Sequence, residues 1–202
     1  MARKTQISRE VILEAALKML IRDGYAAVNI KTLSKEIDCS TQPLVWHFGN
    51  MEKLRKALAE YALDYANSKM RPTAESAIAA FEQVGAAYIH IAVAEPNLFR
   101  FLYLDGYSGL PSDHLDALIT DRDNAAIVKR ISKEFDISED HAGRYLQNTI
   151  IYTHGIAALA ATGVIHAPEE EIMRFVNRAA EGFLMQEGVP AHAIPKNRED
   201  GK

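Results

Sequence analysis

The sequence predicts an all-α protein of about nine helices, a small basic domain followed by a larger acidic helical bundle. Apolar residues recur at helical spacing along most of the 202 residues, and no stretch alternates with the period of two that is typical of a strand. Charge is divided unevenly. Residues 1–56 hold ten Lys and Arg against six Asp and Glu, a balance of +4, and residues 57–202 hold thirteen against 21, a balance of −8. The basic end therefore predicts contact with a polyanion there.

Composition excludes several classes of protein. With 48% apolar and 25% charged residues, the chain has the balance of a soluble globular protein. Cys39 is its single cysteine, so neither an internal disulfide nor a cysteine zinc site can form. The uninterrupted apolar runs are far shorter than the roughly 20 residues of a membrane span, and no apolar run follows the basic start. We expect a cytoplasmic protein without membrane segment, metal or cofactor.

The first four helices follow from capping residues and apolar spacing. Ser8 caps the first and Gly24 ends it, Asn29 caps the second, and Ser40 caps a third that ends near Phe48. With that cap, Pro43 falls at the third helical position, where a proline removes no intrahelical hydrogen bond. A fourth helix starts around Asn50 and Met51 and continues to Arg71-Pro72.

The rest of the chain reads as further helices and loops. The predicted helices are 73–94, a short one after Pro96, 115–119 with 121–135, 138–162 and 168–186, and residues 105–112 form a loop. The predicted domains are a helix-turn-helix domain over 1–56, a ligand-binding and dimerisation domain over 57–190, and a disordered polar tail over 191–202.

The third helix has the features of a DNA-recognition helix. On a wheel of 100° per residue, Leu44 and Phe48 share an inward face, while Gln42 and Trp46 point outward. Its roughly 12 Å length matches the width of a major groove. Gln42 could read adenine and Val45 a thymine methyl. Trp46 either packs on the DNA backbone or folds back onto the first helix, and the wheel does not separate the two.

Segment 8–58 resembles the DNA-binding domain of the TetR/AcrR family of transcriptional regulators. The matching pieces are Ile12-Leu13-Glu14-Ala15-Ala16, Asp23-Gly24-Tyr25, Ile30-Lys31-Thr32-Leu33-Ser34, and Leu44-Val45-Trp46-His47-Phe48-Gly49-Asn50 with Leu54. The resemblance implies that the following residues contact DNA: Lys31, Thr41, Gln42, Val45, Trp46, His47, Asn50 and Lys53.

Three positions depart from the family pattern. Asp38 stands where the family has its turn glycine, Pro43 replaces a frequent threonine, and Met51 replaces a frequent lysine whose phosphate contact Lys53 could supply. Cys39 stands where a small apolar residue is usual, which favours a buried structural thiol over a redox switch. Arg3 and Lys4 are either an arm over the DNA or an ordinary charged terminus.

The acidic half shows no catalytic arrangement, because it lacks GxSxG, GxGxxG, phosphate-loop and HExxH patterns, and its histidines lack metal-ligand spacing. We therefore expect no enzymatic activity. The resemblance instead implies a helical bundle with an effector pocket. The candidate pocket residues are the aromatics and histidines Tyr65, Tyr88, His90, Tyr103, Tyr107, Tyr152 and His154.

Two stretches resemble one C-terminal type within the family. These are Ala94 to Phe99 and Thr153-His154-Gly155, the latter with Thr153 where that type has tryptophan. His154 either bonds the backbone of a neighbouring helix or reads a polar group of the effector. Gly155, costly inside a helix, indicates close approach of another helix or a ligand.

The resemblance also implies a homodimer formed by helices 138–162 and 168–186. Two recognition helices related by a twofold axis read a palindrome, which one eight-residue helix cannot do with useful specificity. The leading hypothesis is a homodimeric, ligand-responsive regulator of transcription, usually a repressor, that binds double-stranded operator DNA. The alternatives are a helical small-molecule binding protein that has lost DNA binding and an all-α enzyme.

Overall fold

The computed structural model describes residues 7–105 and 122–195, and throughout these ranges the regular structure is helical, without strands. The helices are α1 Arg9–Asp23, α2 Ile30–Glu36, α3 Gln42–Phe48, α4 Met51–Lys69, α5 Ala77–Ala94, α6 Pro96–Phe99, α7 Arg122–Phe135, α8 Glu139–Ala161 and α9 Glu169–Gln186. Helix α6 continues as a π-helical turn, Arg100–Leu104, and short 3-10 turns occupy Tyr25–Ala27 and Ala191–Ala193. The predicted all-α class is confirmed. The predicted helix 115–119, Tyr107, Arg3, Lys4 and residues 196–202 lie outside the described residues.

Most predicted helix starts and stops are confirmed by their hydrogen bonds. The Ser8 hydroxyl accepts from the Val11 N–H, and the Asn29 side chain accepts from the N–H groups of Lys31 and Thr32. Thr32 completes a capping box by accepting from the Asn29 N–H. The glycine after α1 has φ 82°, a left-handed conformation that ends the helix at low steric cost.

The predicted start of α3 is wrong by one residue. Thr41, not Ser40, occupies the N-cap, and its side chain makes no capping hydrogen bond. Pro43 is therefore the second helical residue, still within the first turn, whose N–H groups have no intrahelical acceptor. A helix without a side-chain cap depends on its buried face for stability, and α3 buries Leu44 and Phe48.

The chain divides into two compact units. The first comprises residues 1–69, 90–110 and 160–164, and the second comprises residues 70–89, 111–159 and 165–202. The core of the first unit is formed by apolar residues that α1 to α4 bury almost completely. They are Ile12, Ala16, Leu20, Leu33, Leu44, Phe48, Leu54 and Leu58. Helix α4 passes through residue 56 without interruption, and the boundary proposed there stays a prediction.

The segment after α5 packs onto the basic domain within the first unit. Leu98 and Leu102 are fully buried, and the Asn97 side chain donates a hydrogen bond to the Ile21 carbonyl at the end of α1. The ring of Phe101 stacks on Tyr25 at 5.0 Å between centroids, with the Arg55 guanidinium over the Tyr25 ring. Residues 96–104 are thus part of the core that supports α1 to α4.

The second unit has its own core. This core contains buried residues from the first turn of α5, from α7 and from α8. They pack against Leu184, in the last turn of α9, and Val189, just after that helix. Phe81 packs edge to face on the buried Tyr145 at 6.2 Å, and Ile194 packs against the same cluster. The predicted C-terminal helical bundle is therefore present, and one partly buried residue of the predicted polar tail, Ile194, packs against its core.

Helix α5 is more apolar than the sequence analysis recognised, because counting uninterrupted apolar runs overlooks a helix broken by single polar residues. Ala77–Ala94 is 18 residues long with a mean hydropathy of 1.4, so by length and composition alone it could cross a membrane. A core helix passes the same test. Its residues Ile78, Ile89 and Ile91 are buried within the described structure. Burial of this kind is typical of a helix in the core of a protein.

A buried carboxylate connects the first turns of α8 to the end of α9. Glu187, just after α9, is 6% exposed and accepts hydrogen bonds from His141 at 2.7 Å and from Arg144 at 2.9 and 3.1 Å. Desolvation acts against the charged form, but the hydrogen bonds from Arg144 and His141 outweigh it and hold the pKa of Glu187 below its usual value of 4.5.

Replacing Glu187 with Gln is expected to destabilise the protein by about 1–2 kcal/mol at pH 7, because charge-assisted hydrogen bonds are lost in a buried place. A lowered pKa means that the carboxylate stabilises the fold above pH 4.5 and loses this effect as the pH falls further. Urea unfolding at pH 7 and pH 3.5 should therefore show a difference between variant and wild type that shrinks in acid. Glu60→Gln, on the exposed face of α4, is the control; an equal loss there would contradict the assignment.

Candidate DNA-binding surface and body cavity

Helix α3 divides its residues between the core and solvent as the wheel predicts. Leu44 and Phe48 are 1% and 5% exposed, whereas Trp46 is 70% and Val45 47% exposed, and Gln42 is also exposed. The alternative in which Trp46 folds back onto the first helix is therefore wrong. A tryptophan that is 70% exposed on a seven-residue helix presents a large apolar contact surface to solvent.

His47 is held by the chain itself. Its Nε2 lies 2.9 Å from the Ile7 carbonyl oxygen, and the ring is half-buried. The imidazole also meets the Trp46 ring edge to face, with centroids 4.6 Å apart. His47 thus has a structural partner before any DNA arrives, and it restricts the positions that the indole can take.

The turn between α2 and α3 explains how the family glycine can be an aspartate. Asp38 adopts φ 49°, the left-handed conformation that the position requires, and the next N–H, from Cys39, donates to the Ser34 carbonyl at 2.8 Å. Asp is among the few non-glycine residues that enter this region.

The prediction that Cys39 is buried is wrong. The residue is only partly buried, because it lies in the turn beyond the end of α2, and its thiol lies 3.0 Å from the Ser40 carbonyl. Partial burial and the neighbouring Asp38 carboxylate raise the pKa of the Cys39 thiol. The thiol is therefore protonated near neutral pH, the less reactive form.

Some of the basic residues of the first domain form ion pairs within the domain. Arg22 pairs with Asp23 and Glu36, and Lys18 pairs with Glu14. Four exposed lysines on α2 and α4 have no carboxylate partner among the described residues. They are Lys31, Lys35, Lys53 and Lys56. Lys31 and Lys53 were predicted to contact DNA, whereas Lys35 and Lys56 were not, because a count of charges does not show which cations are already paired within the domain.

The start of α4 leaves two backbone N–H groups that could hold an anion. Asn50 uses its own N–H on the Phe48 carbonyl, and its side chain accepts from the Lys53 N–H at 2.9 Å. The N–H groups of Met51 and Glu52, which have no intrahelical acceptor at these positions, remain for a phosphate. Lys53 supplies its side-chain charge, not its backbone.

Comparison with known proteins identifies this domain. Residues 12–58 match the model of bacterial regulatory proteins of the tetR family. Over this segment the chain carries a tetR-family domain. A protein with unknown function from Rhodococcus sp. RHA1 is 25% identical, with 92% of this chain and 98% of that one covered and a TM-score of 0.68. No curated protein is significantly similar to the chain.

A TetR variant from Acinetobacter baumannii AYE, solved in complex with minocycline, is similar to this chain in fold. It is 15% identical, with 89% of this chain and 96% of that chain covered, at a TM-score of 0.57. The likeness extends over both halves of the chain.

The predicted pocket residues of the body are distributed over both units. Tyr65, His90 and Tyr103 belong to the first unit, Tyr88, Tyr152 and His154 to the second, and Tyr107 lies outside the described residues. The Tyr65 hydroxyl donates to Glu95 at 2.8 Å, beside a Lys69–Glu95 ion pair. Tyr65 thus has a structural role within the first unit.

His154 bonds a neighbouring side chain. The Tyr88 hydroxyl lies 2.8 Å from His154 Nδ1, and burial lowers the pKa of the imidazole, which favours the neutral ring. Tyr152 packs edge to face on Phe183 of α9. The expected close approach at Gly155 does not occur within the described chain, since Gly155 is exposed and a Cβ there would meet nothing within 4 Å.

A small cavity in the second unit is lined by residues that the sequence analysis did not select. Its volume is about 20 Å³, and it lies between α5, α8 and α9. The lining consists of Phe81, Glu82, Gly85, Tyr145, Thr149, Thr153, Met173, Val176, Asn177 and Ala180. One signal was available: Glu82 is the single charged residue in the otherwise apolar helix α5 apart from its histidine.

Replacing Asp38 with Gly should raise the free energy of unfolding by about 0.5–1 kcal/mol, because glycine removes the steric cost of φ 49°. The greater conformational entropy of glycine in the unfolded chain offsets part of this stabilisation. Asp38→Ala is the matched variant and should lower the stability. Thermal unfolding of the three proteins checks the order Gly, Asp, Ala; alanine equal to glycine would contradict a strained turn.

Proposed function

We propose that the chain is a homodimeric, ligand-responsive regulator of transcription, most often a repressor in this family, that binds a palindromic operator in the cytoplasm. The carrying observation is α3, a seven-residue helix anchored by two buried side chains that presents Gln42, Val45 and Trp46 to solvent within a tetR-family domain. Unpaired lysines on α2 and α4 supply charge for the phosphates on either side.

The roles of the DNA-facing residues follow from their chemistry. The Gln42 amide can bond adenine in the bidentate manner, Val45 can contact a thymine methyl, and Thr41 can bond a base edge or a phosphate. Trp46 can pack on the sugar-phosphate edge or donate its indole N–H to a phosphate. Pro43 takes no part beyond shaping the first turn.

The dimer is supported by an exposed stripe on α8. Ile151 and Leu159 are 45% and 41% exposed, with Gly155 between them on the same face. A glycine inside a helix costs about 1 kcal/mol relative to alanine. At a glycine, the α8 helices of two copies can approach closely, and the resulting contact offsets that cost. The same contact covers Ile151 and Leu159.

Helix α9 carries a corresponding stripe. Phe175 and Met185 are 53% and 50% exposed, and Gly182, also exposed, has no atom within 4 Å of a Cβ position. Both helices therefore combine exposed apolar residues with an open glycine, which supports the dimer interface that the family resemblance implies for 138–162 and 168–186. The twofold axis of such a dimer places two copies of α3 for a palindrome.

The effector is proposed to act by favouring one of two arrangements of the recognition helices. The effector can shift the equilibrium between these two arrangements by no more than the difference between its binding free energies for them. The TetR variant of similar fold is bound to minocycline, so this fold accommodates a small molecule. Helix α5 continues covalently into residues 96–104, which pack on α1 and α4, and this gives the body a route to the DNA-binding helices.

Replacing Gln42 and Trp46 with Ala should lower affinity for a selected palindrome at least tenfold, because base contacts and an apolar contact are removed. The operator can be found by selection from a random duplex pool, and affinity measured by fluorescence anisotropy across salt concentrations. Wild-type binding should weaken steeply with salt. Glu14→Gln, on the exposed face of α1, is the control. No recovered palindrome, or unchanged affinity in the double variant, favours a small-molecule binding protein instead.

Replacing Gly155 with Leu should convert the dimer to a monomer, because a side chain at that point separates the two stripes. Analytical ultracentrifugation at micromolar concentration measures the change. Ala126→Leu, on the exposed face of α7, adds the same side chain elsewhere and should leave the dimer intact. Dimers in both variants would place the interface on another face.

A further inference from the structure

The cavity between α5, α8 and α9 has one charged wall. Glu82 faces it together with the hydroxyl-bearing residues Thr149 and Thr153 and the amide of Asn177. The remaining walls are apolar or aromatic, and Phe81 and Tyr145 supply the two rings. Glu82 is the only residue of this lining that carries a carboxyl, amino or guanidinium group, so the cavity is suited to a cation or to a donor of hydrogen bonds.

Glu82 lacks a counter-ion in the described chain. No hydrogen bond or ion pair reaches its carboxylate from residues 7–105 or 122–195, although the residue is half-buried. Burial, reinforced by the carboxylates of Glu181 and Glu134, raises the pKa of Glu82. Keeping an unpaired carboxylate among apolar residues costs free energy. A bound cation would remove that cost, whereas an anion would increase it.

The size of the cavity limits which part of a ligand can enter. A volume of about 20 Å³ holds one group the size of water, which an ammonium group matches and a whole effector does not. Gly85 also lines the cavity, and a Cβ at that position would meet nothing within 4 Å. The space beside Glu82 is therefore open.

A wider depression adjoins the cavity and shares two of its residues. Met173 and Asn177 line both, and the depression, of about 410 Å³, is otherwise lined by Glu169, Glu170 and Arg174. Two acids against one arginine keep this surface negative. The narrow cavity and the open depression together fit a ligand with a small charged head and a larger body.

We propose that this cavity is the effector site and receives the protonated amine of a small organic cation, with Glu82 as its counter-ion and the body of the ligand in the depression at Met173 and Asn177. The proposal rests on the proposed function, in that the ligand is taken to be the effector that releases DNA. The aromatic rings of Phe81 and Tyr145 add attraction for the cation, and Thr153 and Asn177 supply hydrogen-bond acceptors.

The first test uses three probes of equal shape and different charge: benzylammonium, benzyl alcohol and benzoate. Isothermal titration calorimetry with the full-length protein should show binding of benzylammonium at least tenfold tighter than of benzyl alcohol, and no binding of benzoate. Equal affinity for the amine and the alcohol, or preference for benzoate, would overturn the proposal.

Two variants test the cavity itself. Glu82→Gln removes the charge and should weaken benzylammonium at least tenfold while leaving benzyl alcohol unchanged. Gly85→Leu fills the space and should abolish binding of both, and circular dichroism confirms that it folds. Glu60→Gln, an exposed acid of α4, is the matched control. An amine affinity that survives in both cavity variants shows that the cation binds elsewhere.

Binding and DNA release separate the two proposals. If the protein binds a selected palindrome and benzylammonium weakens that binding for the wild type but not for Glu82→Gln, both are supported. If DNA binding is present but insensitive to the amine, the effector proposal fails while the regulator stands. If no DNA is bound, the regulator fails, and calorimetry still decides whether the cavity takes an amine.

Discussion

The position of α3 depends on the burial of Leu44 and Phe48. A helix of seven residues is unstable alone, because nucleation fixes several residues before hydrogen bonds offset the cost. Its N-cap provides no side-chain hydrogen bond, so the core of the first unit must supply the stability. Every outward residue of α3 then takes its direction from those two inward ones. The DNA-facing surface is, in this sense, a property of the core beneath it.

The same core extends beyond the DNA-binding domain. Residues 96–104 bury Leu98 and Leu102 against the helices that hold α3, and Asn97 bonds the last turn of α1. A ligand that alters this segment would act on the support of the recognition helix and leave its contact residues unchanged. The constraint that fixes α3 therefore also makes its placement sensitive to events further along the chain.

Helix boundaries were predictable because local chemistry decides them. Asn29 caps α2 through its own side chain, and Asp38 accepts the left-handed turn, both from short-range rules. Cys39 was misjudged because burial depends on where a turn projects a side chain. The cavity could not be predicted, since α5 supplies one wall and the other walls come from α8 and α9, some 60 to 100 positions further along the chain. Only Glu82, an acid in an apolar helix, marked it in the sequence.

The proposed dimer and the proposed effector site can operate together because α9 presents them on different faces. At 100° per residue, the five residues that line the depression are centred about 70° around the helix from Glu169, whereas Phe175, Gly182 and Met185 are centred near 205°. Contact with a second copy along the latter face leaves the depression at Met173 open. A ligand there would contact the helix that forms the interface without entering the interface. It can therefore shift the packing of α9, and with it the spacing of the two DNA-binding domains, while the dimer persists.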